Sequence, residues 1–247
     1  MASTVDWCEI NYEKSPLIAE FWNTLSSIVL IIAGFIGYIS HRNLKGSFVY
    51  IILTLVGFGS ISFHSMLTAS SQMLDEIPMI FLVVQLVINS VNMRKIWSYL
   101  LYISAILHSL LIFCTTGTPK FEFIVFQTSI LISGICIFFS LYNFSKKNKD
   151  AMNLFKTGTS IFICGWIMWL IDFFFCSFLQ KNFNPQFHAW WHILSAIGVY
   201  QLSILSLITC NDYIDNTCYI FICHTSIYRL YIFPRLVIIQ RKYEKLV

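Results

Sequence analysis

Charge is what this 247-residue sequence has least of: Asp, Glu, Lys and Arg together make up 11% of it, against 57% hydrophobic residues. A water-facing surface needs about a quarter of its residues charged, so a soluble domain of this size is excluded. A secretory leader is also missing, because Met1 to Asp6 has neither a basic start nor an apolar core, and the first membrane span is expected to direct targeting. There is no internal repeat, and no connection is long enough for a separate soluble domain. The eight cysteines follow no zinc-ribbon spacing, and most lie in apolar runs where a small buried hydrophobe is expected. The net charge of +4 carries no nucleic-acid signature, and nothing indicates an obligate protein partner.

Apolar length is abundant. Runs of about 20 residues, each enough to cross ~30 Å of hydrocarbon, occur at 20–40, 47–67, 76–93, 97–115, 121–144, 158–179 and 187–208. The expected fold is an all-α membrane protein: one seven-transmembrane helix bundle over residues 1–247. Thirteen lysines and arginines fall in the connections after the first, third and fifth spans and in the C-terminal tail; Lys14, Lys120 and Lys181 are the three on the other side. That asymmetry places the N-terminus in a lumen or outside and the C-terminus in the cytosol. The tail, 209–247, is expected to lie along the cytosolic interface, since its apolar stretch from Cys218 to Ile239 is broken by Arg229, Pro234 and Arg235. Cys218, Cys223 and His224 within it have no partner cluster, so a metal clip there is not favoured.

Within the last apolar run stands Gln186-Phe187-His188-Ala189-Trp190-Trp191-His192. Histidines four apart on a helix share one face, their Cβ atoms about 5–6 Å apart, close enough to reach one metal ion at ~2.0–2.1 Å. The bland alternative is that both rings only hydrogen-bond to neighbouring helices. A third histidine favours the metal. His64 lies about 17 residues into the second span, or ~26 Å along it, at the lumenal depth where the last span enters with His188 and His192. Ser60 sits one turn before His64, and Asp75 stands at the expected start of the third span. Three histidines with an open fourth position describe a catalytic zinc site, beside which a carboxylate can take the proton of an attacking water. Asp75 is the candidate, its alternative role being a solvated helix cap, and Glu76 is expected to point elsewhere.

Asp6, Glu9 and Asn11, followed by Glu20 at the lip of the first span, offer oxygen ligands of the kind Ca²⁺ takes. The same carboxylates can instead complement a helix dipole. Asp172, inside the sixth span, suits a cross-helix hydrogen bond or the support of a metal ligand, the former being favoured. His108 is expected to bond between helices. Topology puts Cys8 and Cys176 alone among the cysteines within reach of an oxidising lumen, so a disulfide between them is expected.

Taken together, Val5-Asp6-Trp7-Cys8-Glu9, Glu20-Phe21-Trp22-Asn23-Thr24, Gly59-Ser60 with Phe63-His64, Leu74-Asp75-Glu76-Ile77-Pro78 and Gln186 to Leu194 resemble the alkaline ceramidases. These belong to a seven-helix hydrolase superfamily that includes adiponectin-receptor-like proteins, and the likeness covers nearly the whole chain. It implies a zinc amidohydrolase that cleaves the N-acyl bond of ceramide to a sphingoid base and a fatty acid. His64, His188 and His192 are then the zinc ligands, with Asp75 and Ser60 as catalytic residues. The resemblance also implies a calcium ion held by Asp6, Glu9, Asn11, Glu20 and the backbone carbonyl of Trp7, and residence in the endoplasmic reticulum or Golgi. A receptor of the adiponectin-receptor type is the alternative, opposed by the charge pattern; a lipid-remodelling ester hydrolase is another.

Overall fold

The structure is a computed structural model that describes residues 2–91, 93–114, 119–215, 219–222 and 235–238, with side chains described at 2–91, 93–113 and 124–211. Eight helices follow in order: α1 (Phe21–Ser26), α2 (Ile28–His41), α3 (Phe48–Met66), α4 (Ala69–Val91), α5 (Lys95–Cys114), α6 (Pro119–Ser145), α7 (Lys149–Asn182) and α8 (Phe187–Asp215). Ser27 keeps helical angles between α1 and α2, so the pair forms one span, Phe21–His41. Among the described residues seven spans are long and apolar enough to cross a membrane, and the protein is a multi-pass membrane protein.

Three helices are longer than apolar runs alone predict. α4 starts at Ala69, not at 76, because its polar first turns face protein: Ser71 and Gln72 are buried, and the Gln72 side chain bonds both the backbone and the hydroxyl of Thr4. α7 starts at Lys149, not at 158, where the Asn148 side chain accepts from the N–H groups of Asp150 and Ala151 and so satisfies donors that have no helical partner. α8 runs on to Asp215 instead of ending at 208. Of the tail, 219–222 and 235–238 form an antiparallel pair, β1 (Tyr219–Ile222) and β2 (Arg235–Ile238), with Ile222 opposite Arg235. The residues Cys218, Cys223 and His224 lie outside the described residues.

α8 is the most deeply buried span, packed against α7, α4, α2 and α1. Tyr50 and Leu53 of α3 join Tyr200, Ile204 and Leu205 of α8 in one apolar core with Leu141 of α6. His108 behaves as expected, Ser129 on α6 lying 3.2 Å from its Nδ1.

The N-terminal segment folds over one end of the bundle. Ala2 bridges Thr68, Ser3 donates to the carbonyl of Leu67, and Ala19 and Glu20 donate to those of Ser65 and His64. A polar segment of this length buries too little to fold alone, so its order comes from these backbone bonds and from the side chains described next.

Candidate metal centre

α3 and α8 bring His64, His188 and His192 together at the end of the bundle under the N-terminal segment. All three are buried, and their ligand nitrogens lie within 4.8 Å of one another, with no carboxylate in the cluster. The ring centroids are 4.7–5.1 Å apart. Three neutral imidazoles in a dry pocket would be costly to bury unless their polar atoms are used, and two of the three have the outward nitrogen engaged. His64 Nδ1 lies 2.5 Å from Glu20 Oε2, and His192 Nδ1 lies 2.8 Å from Ser26 Oγ and 3.3 Å from Ser27 Oγ. Each of these two rings keeps Nε2 as its other ligand atom. His188 Nδ1 is buried without a hydrogen-bond partner, its ring stacked on the Trp7 indole at 3.9 Å. The donor set fits a three-histidine metal site.

Ser60 is one turn before His64, buried, with its hydroxyl 2.9 Å from that of Ser27. Asp75 is not at a helix start: it sits two turns inside α4, so the cap reading is set aside by the geometry. Its position depends on Pro78 and Gly59. Pro78 supplies no N–H to the Leu74 carbonyl four residues back, and that carbonyl lies against Gly59, where a Cβ would come within 1.9 Å of it and within 2.8 Å of Asp75 Cα. Absence of a side chain at Gly59 therefore lets α4 approach α3 beside Ser60. Gly59→Ala is expected to push the helices apart, lowering stability by roughly 1–3 kcal/mol and activity with it. A thermal melt and an activity assay on the same preparation check this; an unchanged pair of values refutes the contact. Glu76 is half-buried and accepts from Gln72 at 2.7 Å.

The acidic residues of the N-terminal segment converge on Glu20, which is fully buried. Its Oε1 accepts from Trp7 N–H at 3.0 Å and its Oε2 from Asn23 Nδ2 at 3.0 Å. Glu9 accepts from the N–H groups of Trp22 and Asn23 at the start of α1, the dipole-complementing role that was the alternative to calcium. Asn11 Nδ2 donates to both oxygens of Asp6. Burial raises the carboxyls of Asp6 and Glu9, with repulsion from Glu20 adding to it, and burial pushes Glu20 up to about 7. Among the described residues, the one Lys or Arg in an ion pair is Lys14, with Glu13, so no described Lys or Arg is paired with Asp6, Glu9 or Glu20. A bound cation would relieve that repulsion, and the cluster fits one in this respect.

Asp172 takes the structural role: it accepts from Cys8 N–H at 3.1 Å and His188 N–H at 3.3 Å, tying the N-terminal segment to α7 and to the first turn of α8. Cys8 and Cys176 are neighbours with free thiols, Cys8 Sγ donating to the Cys176 carbonyl at 3.3 Å. Sequence reasoning missed Asn23, Ser26 and Ser27. Three polar residues within five positions at the head of an apolar span are the signal that was there to read.

The chain is similar to known proteins. The family model described as Ceramidase matches residues 1–236. The chain is 34% identical over 227 residues to alkaline ceramidase 3 of Mus musculus, covering 84% of each. It is 30% identical over 281 aligned positions to an alkaline ceramidase of Saccharomyces cerevisiae, covering 97% of this chain and 85% of that one. To alkaline ceramidase 1 of Homo sapiens it is 27% identical over 229, covering 85% and 84%.

Proposed function

The chain belongs to the ceramidase family, and from that premise we propose that it is a zinc-dependent amidohydrolase cleaving the N-acyl bond of ceramide to a sphingoid base and a fatty acid. The observation that carries this reading is the buried cluster of His64, His188 and His192 with no carboxylate among its ligands. When bound there, zinc supplies a Lewis acid that polarises a carbonyl and lowers the pKa of water. The chain's own groups do the rest. Asp75 accepts the proton of the attacking water and returns it to the leaving amine as the C–N bond breaks. Ser60 turns its proton to the carbonyl oxygen as negative charge builds there. The bilayer delivers the two-chain lipid sideways to the bundle. Purified protein given ceramide and, separately, a phospholipid tests the reading: release of fatty acid and sphingoid base supports it, and cleavage of the phospholipid ester alone overturns it.

The whole chain, 1–247, acts as one domain, with 1–19 as a calcium-binding segment on the lumenal face and 209–247 as a cytosolic tail, in the membrane of the endoplasmic reticulum or Golgi. Calcium on Asp6, Glu9, Asn11, Glu20 and the Trp7 carbonyl holds that segment over the zinc site. Saturating calcium should raise the melting temperature of the wild type, binding at 100 times Kd being worth about 2.7 kcal/mol, and leave Glu20→Gly unmoved. A wild type indifferent to calcium removes the second metal. Cys8 and Cys176 form a disulfide in the oxidising lumen, so unreduced peptide mapping should find them linked; two free thiols in protein from that compartment end the pairing.

A further inference from the structure

We propose that Ser26 and Ser27 are positioning residues that hold His192 as its Nδ1–H tautomer, presenting Nε2 bare to the metal before any metal arrives. The inference rests on the zinc reading of the three histidines. It follows from counting protons. A serine hydroxyl has one, and a carbonyl oxygen can only accept. Ser27 Oγ lies 2.7 Å from the Asn23 carbonyl oxygen, and Ser26 Oγ lies 3.0 Å from the same atom. That carbonyl also takes the Ser27 N–H at 3.2 Å; with each hydroxyl proton turned to it, both serines meet His192 Nδ1 with lone pairs. A ring nitrogen 2.8 Å from such an oxygen is then the donor. His192 therefore carries its proton on Nδ1.

The same count makes Ser60 the donor to Ser27 at rest, since Ser27 has no proton left to give. Ser60 can turn its proton to a carbonyl oxygen only by releasing Ser27, which negative charge on the substrate would induce. Two ligands are thus set by different chemistry. Glu20 fixes His64 with a carboxylate, whereas His192 is fixed by two hydroxyls that a backbone carbonyl has polarised. His188, whose Nδ1 has no partner, is left to stacking on Trp7. Neutral imidazole in water divides between its tautomers, and a ring that must change tautomer before it can bind loses affinity; partners of this type are worth about 10–100-fold in metal binding.

The test uses full-length protein in detergent, labelled with ¹⁵N-histidine and stripped of metal, with His192 signals assigned by their loss in His192→Gln. In the wild type, Nδ1 of His192 should be protonated and Nε2 not. In the Ser26→Ala/Ser27→Ala double variant the Nε2–H form should appear and zinc affinity fall about 10–100-fold, while the His64 signals stay as they were. Ser26→Ala alone should cost more than Ser27→Ala alone, because its contact is the shorter. A wild-type His192 protonated on Nε2 overturns the proposal, as does a double variant that keeps both the Nδ1–H signal and wild-type affinity. Should the double variant not fold, the wild-type spectrum decides alone. A wild type with the expected tautomer that takes up no zinc leaves the tautomer standing and removes the metal reading instead.

Discussion

Alanine in place of His64, His188 or His192 is expected to abolish zinc binding and hydrolysis together. In the proposed site each ring is one of three ligands, and a pair of imidazoles holds zinc too weakly and in the wrong geometry to keep it in a membrane-embedded pocket. Metal content measured on purified protein should fall from about one ion per chain to near none, and turnover should reach background. The three variants should nevertheless differ in stability. His64→Ala removes the partner of a carboxylate that has no exposure to water, at a cost of roughly 1–3 kcal/mol for the lost charge-assisted bond. His192→Ala removes a ring whose hydroxyl partners can turn to each other, so it should melt closer to the wild type. Full zinc in any of the three variants would refute the site, and an inverted order of stability would refute the role given to Glu20.

The histidine triad was legible in the sequence because membrane topology converts sequence position into depth. Seven apolar runs and the lysine and arginine asymmetry were enough to put His64 near the end of one span and His188 and His192 near the start of another, at a common level. The same method failed where polar residues face protein instead of lipid. Ser71, Gln72 and Asp75 interrupt the apolar run that marks α4, yet they lie within the helix, since a polar residue inside a bundle is bonded to its neighbours and costs little. Hydropathy counts composition and is blind to which face a residue takes.

Contacts between segments distant in the chain were not legible at all. That Glu20 meets His64, that Trp7 covers His188 and that Asp172 holds Cys8 depends on how the N-terminal segment lies across the bundle, and no periodicity encodes it. Glu20 is the clearest instance. A carboxylate at the lip of a span reads equally as calcium ligand or helix-dipole partner, and only the fold shows that one oxygen is turned to His64 and the other to the backbone of Trp7. Whatever binds at the acidic cluster therefore acts on a residue that also touches a ring of the histidine cluster.

Asp75→Asn should separate chemistry from metal binding. The substitution keeps size and shape, and Asp75 lies outside the group of residues whose ligand atoms converge, so zinc content should remain at the wild-type level. What is lost is the proton acceptor. Turnover should fall by about 10²–10⁴, the range that a positioned general base contributes, with substrate affinity changing far less. Glu76→Gln is the control on the same helix: its carboxylate is bonded to Gln72 on the side of the Thr4 contact, and its loss should leave most of the turnover in place. The contrast matters because both residues are acidic, adjacent and inside one span, so a general effect of removing a buried charge would strike them alike. Equal losses in the two variants would mean that α4 needs its charges for packing. A large loss at Asp75 alone, with zinc retained, is what its placement beside Gly59 and Ser60 leads us to expect.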